Sequence, residues 1–338
     1  MTRAQANLID NNALAPSERQ WKSGVAVSFL ICCVLFLAAQ RSWATGGQNS
    51  GSAPGDAATA PSANSPATPI APVKLPAKRG MFHIFLLMGQ SNMAGHGCVD
   101  TNDPCPAGWD SAVPHVLVLD GQGLIDTATP QKPIAWRAGS QPLHLNQPLS
   151  ARYGLGMDFA KAYGAAHPGV TVGLIPCAWG GAPIGRLNKG TPDYENCMTR
   201  AKFAEKSGTI MGVLWHQGEA DSGTPELAGS YAGKLDTLVS DIRADLKIPN
   251  LIFVVGDLAE FYGTNPKHHL HIDGIIAVRD ALSRLPYRVR CTGFVSTTGL
   301  KSADEEFVHF DQPSYVILGD RYAEVVLDIQ KLYGKACQ

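Results

Sequence analysis

The chain carries little charge and no excess of either sign. Its 28 lysine and arginine residues nearly balance 29 aspartate and glutamate residues, and charged residues make up 17% of the 338 positions. Without a basic surface there is no electrostatic attraction to a nucleic-acid backbone, so we expect no nucleic-acid partner. The hydrophobic fraction of 45% exceeds that of disordered chains and is enough to bury a sizeable core.

Long hydrophobic runs are also scarce, and the one at residues 24–40 has the layout of an export signal. It contains no charged residue and follows Arg19 and Lys22. Small residues before a potential cleavage site after Ala44 favour a removable signal peptide. Its 17 residues also approach a membrane-spanning length, so an uncleaved signal-anchor remains the alternative for residues 1–44.

The segment at 45–78 has almost no large apolar side chains. It consists mainly of Ala, Pro, Ser, Gly and Thr, which cannot bury enough surface to fold, so we predict a flexible linker. Whether the apolar run is cleaved as a signal peptide or stays as an anchor, we expect the remaining domain, 79–338, to lie outside the cytoplasm.

Cysteines are few, and none has the spacing of a zinc site. Two of the eight, Cys32 and Cys33, lie in the apolar run. The remaining six are an even number in an oxidising compartment, as expected for disulfides, with buried free thiols as the alternative. Closeness in sequence predicts the pairs Cys98–Cys105, Cys177–Cys197 and Cys291–Cys337.

Short apolar runs alternate with stretches of helical periodicity from Met81 onward, which is typical of a parallel α/β sheet. The first run, 81–88, is continuously apolar, as expected for a strand covered on both faces. No solenoid-type repeat is visible, so we predict one doubly wound domain at 79–338. Further predicted strands are 170–176, 210–215, 251–255 and 289–295. The predicted helices are 154–167, 194–206, 227–246, 273–284 and 312–332.

The ends of these strands carry the groups that a serine esterase needs. Ligands bind at the carboxyl ends of such sheets, where we find Ser91, Gly181, Gln217 and, before the last helix, His309. They offer a nucleophile, a backbone donor, an amide donor and a base. Glu306 could orient the base. Each also has a structural interpretation: a turn serine, a tight turn, an amide tying loops together, and a surface histidine.

Two alternatives for the orienting acid stay open, because Asp304 and Asp311 flank the same histidine. Another histidine cluster could be taken for metal ligands, but we favour a solvated loop there and predict no metal site. Its members are His268, His269 and His271. With Tyr262 this loop could rim a sugar site. Trp109, Trp136 and Trp179 are candidates for stacking on sugar rings, with core packing as the alternative.

Four separated blocks together resemble a known enzyme family. The chain is similar to the sialate O-acetylesterase type of carbohydrate esterase, also called carbohydrate esterase family six, of the GDSL-like SGNH hydrolase superfamily. The resemblance covers residues 80 to 332 and implies a three-layer α/β/α flavodoxin-like fold with a central parallel sheet. The blocks are LMGQSNMAG at 87–95, GLIPCAWGGAPI at 173–184, VLWHQGEAD at 213–221 and EFVHFD at 306–311.

The resemblance implies a role for each matching residue. Ser91 would be the nucleophile and His309 the general base, with Glu306 where such esterases usually carry an aspartate. The backbone N–H groups of Ser91 and Gly181 would form the oxyanion hole with Gln217, which replaces the asparagine of the wider superfamily.

Neighbouring motif positions would keep the pocket in shape; they are Gln90, Asn92 and Glu219. The expected activity is removal of O-acetyl groups from carbohydrate, either xylan-type polysaccharide or O-acetylated sialic acid, without a cofactor or metal. We expect a secreted or membrane-anchored monomer. The alternatives are a short-chain esterase or acetyltransferase on the same scaffold, and a catalytically silent carbohydrate-binding module.

Overall fold

The computed structural model describes residues 73–98, 102–121, 133–145, 152–266 and 271–337. The predicted export signal and most of the predicted linker lie outside these residues. Val73 and Leu75, at the end of the predicted linker, pack against the core of the domain. Among the described residues, no helix combines the length and hydrophobicity needed to cross a bilayer.

Seven strands form a single sheet. They are β1 (Phe82–Gly89), β2 (Val116–Leu119), β3 (Trp136–Ala138), β4 (Thr171–Ala178), β5 (Thr209–His216), β6 (Ile252–Gly256) and β7 (Thr292–Val295). Their order is β3-β2-β4-β1-β5-β6-β7, so β1 lies between β4 and β5 near the centre. All neighbouring strands are parallel except β2 and β3. The sheet is therefore mixed at one edge, while its central strands are parallel, as predicted.

Helices connect the strands. They are α1 (Ser91–Ala94), α2 (Gly156–Ala166), α3 (Pro192–Ala204), α4 (Pro225–Leu246), α5 (Ile272–Ser283), α6 (Leu285–Arg288) and α7 (Gln312–Tyr333). Short 3-10 helices lie at Arg79–Met81, Ile184–Arg186 and Gly334–Ala336. The five predicted helices are confirmed, although α3 and α4 begin two residues earlier than predicted because Thr191 and Thr224 cap them ahead of a proline.

Alternation along β1 divides the core into two layers. Phe82, Ile84, Leu86 and Met88 face a cluster that includes buried residues of α3, α4 and α5. Phe85 and Leu87 face a second cluster with residues of α2 and α7. Successive side chains of a strand point to opposite faces, so helices cover both faces of the sheet. The three-layer α/β/α architecture is confirmed.

All three predicted disulfides are present. Cys98 pairs with Cys105, Cys177 with Cys197, and Cys291 with Cys337. The second joins the end of β4 to α3, and the third joins the start of β7 to the segment after α7.

Candidate active site

Backbone contacts between neighbouring strands hold the segment that carries Ser91. Gln90 N–H donates to the His216 carbonyl at 3.0 Å, and Trp179 N–H donates to the Gly89 carbonyl at 3.1 Å. Gly89 has φ 140°, and a Cβ at this position would overlap the His216 carbonyl oxygen, so only glycine fits. The main chains of β1, β4 and β5 thus determine where Ser91 begins α1.

The hydroxyl of Ser91 contacts the imidazole of His309. The distance from His309 Nε2 to Ser91 Oγ is 3.0 Å, although 218 positions separate the two residues in sequence. His309 lies in the loop before α7, and burial lowers its pKa to about 4. The ring is therefore neutral near pH 7, which leaves one nitrogen free to accept a proton.

The carboxylate beside the other nitrogen of His309 is that of Asp304. Asp304 Oδ2 lies 3.7 Å from His309 Nδ1. The chain doubles back here. Ala303 N–H donates to the His309 carbonyl at 2.8 Å, and Ser302 and Phe310 form an isolated antiparallel β-bridge. This fold-back places position 304 opposite position 309.

Neither of the other two candidate acids has that position. Glu306 is exposed at the far side of the turn, and its backbone N–H donates to Asp304 Oδ1 at 3.1 Å. Asp311 caps α7, where its Oδ1 accepts from Ser314 N–H at 2.9 Å. The geometry thus favours Asp304, the alternative kept open in the sequence analysis, over Glu306.

Asn92 joins the serine segment to the histidine loop. Its Nδ2 donates to Glu219 Oε1 at 2.6 Å and to the Val308 carbonyl at 3.0 Å. Its Oδ1 accepts from the Tyr315 hydroxyl at 3.0 Å. Because Val308 directly precedes His309, this fully buried amide holds His309 against Ser91. Glu219 is also buried, and burial raises the pKa of its carboxyl.

The contacts of Gln217 argue against the oxyanion role predicted from the sequence. Its Nε2 lies 2.6 Å from Asp221 Oδ2, 3.1 Å from the Ala182 carbonyl and 3.2 Å from Gln90 Oε1. An amide nitrogen carries two hydrogens, and both already donate to these three acceptors, so neither is left for an oxyanion. Gln90 Oε1 also accepts from Ala220 N–H, so this fully buried cluster ties together the loops after β1, β4 and β5.

Gln217→Ala is therefore expected to lower stability as well as turnover. The substitution leaves buried acceptors without their donor, at about 1–3 kcal/mol of unfolding free energy. Urea unfolding measures this loss, with Gln330→Ala as control, because Gln330 makes a single contact with the Tyr163 hydroxyl. A fall in turnover with no loss of stability would instead support the oxyanion role.

Two backbone N–H groups that follow the neighbouring strands β1 and β4 are available as donors. Ser91 is the first residue of α1, and Gly181 has φ 66° in the turn after β4, next to β1. In the described part of the chain, no residue accepts a hydrogen bond from either N–H. A Cβ at Gly181 would meet nothing within 4 Å, so the space beside this donor is open.

The aromatic candidates for sugar stacking have different environments. Trp136 lies in the core, where its ring packs against Phe82 at 4.8 Å between centroids. Trp179 is buried, whereas Trp109 is half-buried near Tyr153. The Tyr262 hydroxyl donates to the Glu219 carbonyl at 3.1 Å, so Tyr262 borders the site.

The histidine cluster named in the sequence analysis falls mostly outside the described residues. His268 and His269 belong to the undescribed stretch, and His271 is exposed just before α5.

His96 is a site residue that the sequence analysis missed. Its ring stacks on that of His309, with centroids 3.8 Å apart and an interplanar angle of 29°. Burial, and next the neighbouring His309, lower its pKa to about 4. Its Nδ1 is buried without a hydrogen-bond partner among the described residues. The one sequence signal was its position directly after the GQSNMAG block.

Comparisons with known proteins identify relatives of the chain. A probable carbohydrate esterase of Arabidopsis thaliana is 33% identical over 174 residues, which are 50% of this chain and 65% of that protein. The chain thus spans less than two thirds of this relative's length. A crystal structure from Arabidopsis thaliana has a TM-score of 0.61 and 28% identity, and the match covers 73% of this chain and 98% of that chain.

A carbohydrate acetylesterase from Xanthomonas citri shares the fold, with a TM-score of 0.51 and 19% identity over 72% of this chain and 57% of that one. The family model described as carbohydrate esterase, sialic acid-specific acetylesterase, matches residues 81–328, which is more than half of the chain. The chain therefore belongs to this family of carbohydrate esterases.

Proposed function

We propose that the protein is a serine esterase that removes O-acetyl groups from carbohydrate through an acyl-enzyme. The observation that carries the proposal is the 3.0 Å contact between Ser91 Oγ and the neutral imidazole of His309. A serine needs such a base to become nucleophilic. The membership of the carbohydrate esterase family supports the same chemistry.

In the first half of the reaction, Ser91 Oγ attacks the acetyl carbonyl carbon while His309 Nε2 takes the hydroxyl proton. Asp304 faces Nδ1 and stabilises the imidazolium that forms. The backbone N–H groups of Ser91 and Gly181 donate to the oxyanion. The tetrahedral intermediate then breaks the bond to the sugar oxygen, which leaves with the proton from His309.

In the second half, water replaces the sugar hydroxyl. His309 takes a proton from this water as its oxygen attacks the acetyl-Ser91 carbonyl. Collapse of the second tetrahedral intermediate returns the proton to Ser91 Oγ and releases acetate. Asn92 keeps His309 at Ser91 through both halves because it bonds the main chain just before the base.

The substrate that we propose is an acetylated glycan, either xylan-type polysaccharide or O-acetylated sialic acid. Gly180, Gly181 and Phe307 are exposed around the site, which leaves room for a sugar. We also propose that the protein acts outside the cytoplasm as a monomer. Its three disulfides are typical of proteins from oxidising compartments.

Acetate release from acetylated xylan, O-acetylated sialic acid and 4-nitrophenyl acetate tests the proposal. The unmodified chain is expected to hydrolyse at least one of them, and Ser91→Ala none. Ser230→Ala is the matched control, because this serine is exposed and, within the part of the chain that the structure describes, its hydroxyl donates only to the Leu227 carbonyl on α4. Hydrolysis that persists in Ser91→Ala would disprove the serine mechanism. Binding without hydrolysis would support the silent module, and transfer to an added sugar would identify an acetyltransferase.

The pH profile should reflect the buried base. Because the His309 pKa is lowered to about 4, the imidazole stays neutral as the pH falls from 7 and becomes protonated only near pH 4. We expect kcat/KM for 4-nitrophenyl acetate to reach half its plateau near pH 4. A circular dichroism spectrum at each pH controls for unfolding. A midpoint near 6.5, the value of free histidine, would contradict this prediction.

A further inference from the structure

Three side chains beside the nucleophile have the composition of a metal site. His96, Asp304 and His309 each offer one potential ligand atom, and these atoms lie within 4.8 Å of one another. Two imidazole nitrogens and a carboxylate oxygen are a ligand set that zinc accepts. All three side chains are half-buried, so an ion from solvent can reach them.

Zinc binding requires the potential ligand atoms to move closer together and the His96 ring to turn out of its stack on His309, because the lone pairs of an imidazole lie in the plane of its ring. Zinc–ligand bonds of about 2.0–2.1 Å in a tetrahedral site place ligand atoms about 3.3 Å apart. His309 Nδ1 and Asp304 Oδ2 are already 3.7 Å apart. The Nδ1 of His96 is buried without a hydrogen-bond partner among the described residues, so it loses no hydrogen bond by turning to a metal.

We propose that His96, Asp304 and His309 bind Zn²⁺, and that the bound ion blocks hydrolysis. The metal takes the lone pair of His309 Nδ1 in place of the contact with Asp304, and water completes the coordination. The inhibitory effect rests on the proposed function of this site, whereas the metal site itself does not.

The inhibition follows from the single proton of a neutral imidazole. In the active state this proton is on Nδ1, facing Asp304, and the lone pair of Nε2 faces Ser91. When a metal occupies the Nδ1 lone pair, the proton must be on Nε2. Nε2 then has no lone pair for the Ser91 proton, so the nucleophile cannot be activated.

His96 is the residue that distinguishes a zinc site from a plain catalytic triad, so its replacement is the test. His96→Phe keeps an aromatic ring on His309 and removes the ligand. His167→Phe is the control, because this histidine lies near His83 at the opposite end of β1, with ring centroids 5.5 Å apart. His268→Asn/His269→Asn controls for the other histidine cluster.

Zn²⁺ binding is measured first, by calorimetry on the full chain with Ser91→Ala, where no turnover is needed. We expect one Zn²⁺ site that His96→Phe weakens at least tenfold and that neither control weakens. Asp304→Asn in the same background should weaken it similarly, which keeps the test valid if His96→Phe does not fold. Equal affinity in all variants would overturn the proposal.

Inhibition is measured next, with 4-nitrophenyl acetate and each variant compared with its own metal-free rate. Zn²⁺ should inhibit the unmodified chain, chelation by EDTA should restore the rate, and His96→Phe should need at least ten times more Zn²⁺. Binding that depends on His96 in a chain without esterase activity would support the site and refute the proposed function. Inhibition that is lost only in His268→Asn/His269→Asn would refute the site.

Discussion

His309→Ala is expected to slow acetate release about 10⁴–10⁶-fold, as severely as Ser91→Ala. Among the described residues, His309 Nε2 is the nitrogen that contacts the serine hydroxyl, at 3.0 Å, and removing it takes away this base. The remaining rate would come from binding and from the backbone donors to the oxyanion. Steady-state release of 4-nitrophenolate measures the effect.

The double variant sharpens this prediction. When two residues act as one catalytic unit, removing the second slows the reaction little beyond removing the first. The rate of Ser91→Ala/His309→Ala should therefore be about the same as that of either single variant. A fluorophosphonate probe, which reacts with activated serines, should label the unmodified chain and neither variant. If the fold-losses in rate of the two single variants multiply in the double variant, the two residues act in separate steps.

Asp304→Asn is expected to lower kcat by about 10²–10⁴-fold, whereas Glu306→Gln should cost less than about tenfold. The asparagine amide carries no charge to stabilise the imidazolium, and its NH₂ group can donate to Nδ1 and so favour the tautomer of His309 that has its proton on Nε2. Asp304 is the carboxylate at 3.7 Å from Nδ1, a distance that we expect to shorten when substrate binds. Each variant removes one charge and keeps the length of its side chain.

The reverse order of effects would identify Glu306 as the orienting acid. It would also mean that the loop at 302–310 changes conformation with substrate, because Glu306 is exposed at the turn in this structure. Thermal unfolding of both variants distinguishes the loss of the orienting acid from a loss of the loop's folded structure.

The five longer helices and five of the seven strands were predictable because their signals are local. Continuous apolar runs identify buried strands, and helical periodicity identifies amphipathic helices that bury one face, without reference to the rest of the chain. The strand β2 was not predicted, although Val116–Leu119 is a short apolar run before Asp120 and Gly121, which is typical of a strand and turn. β3 has three residues and exists through its pairing with β2, so its own sequence carries little signal.

The residue types of the candidate site could be predicted from the sequence, but the acid that pairs with His309 could not. Ser91 and His309 could be inferred from motif positions, but the choice between Asp304 and Glu306 depends on a turn. Phe307 adopts a left-handed conformation with φ 54°, and spacing along the chain does not reveal such a turn. The same holds for Gln217, whose motif position does not show that buried acceptors surround its amide.

The main-chain anchoring of Ser91 makes the protein a suitable scaffold for changing substrate preference. The hydrogen bonds that place the serine segment join Gln90 to His216 and Trp179 to Gly89 through backbone atoms alone. Side chains at the rim, such as Phe307, can be replaced without altering these bonds. A library of variants at the rim would therefore sample new acyl and sugar specificities while Ser91 stays in place.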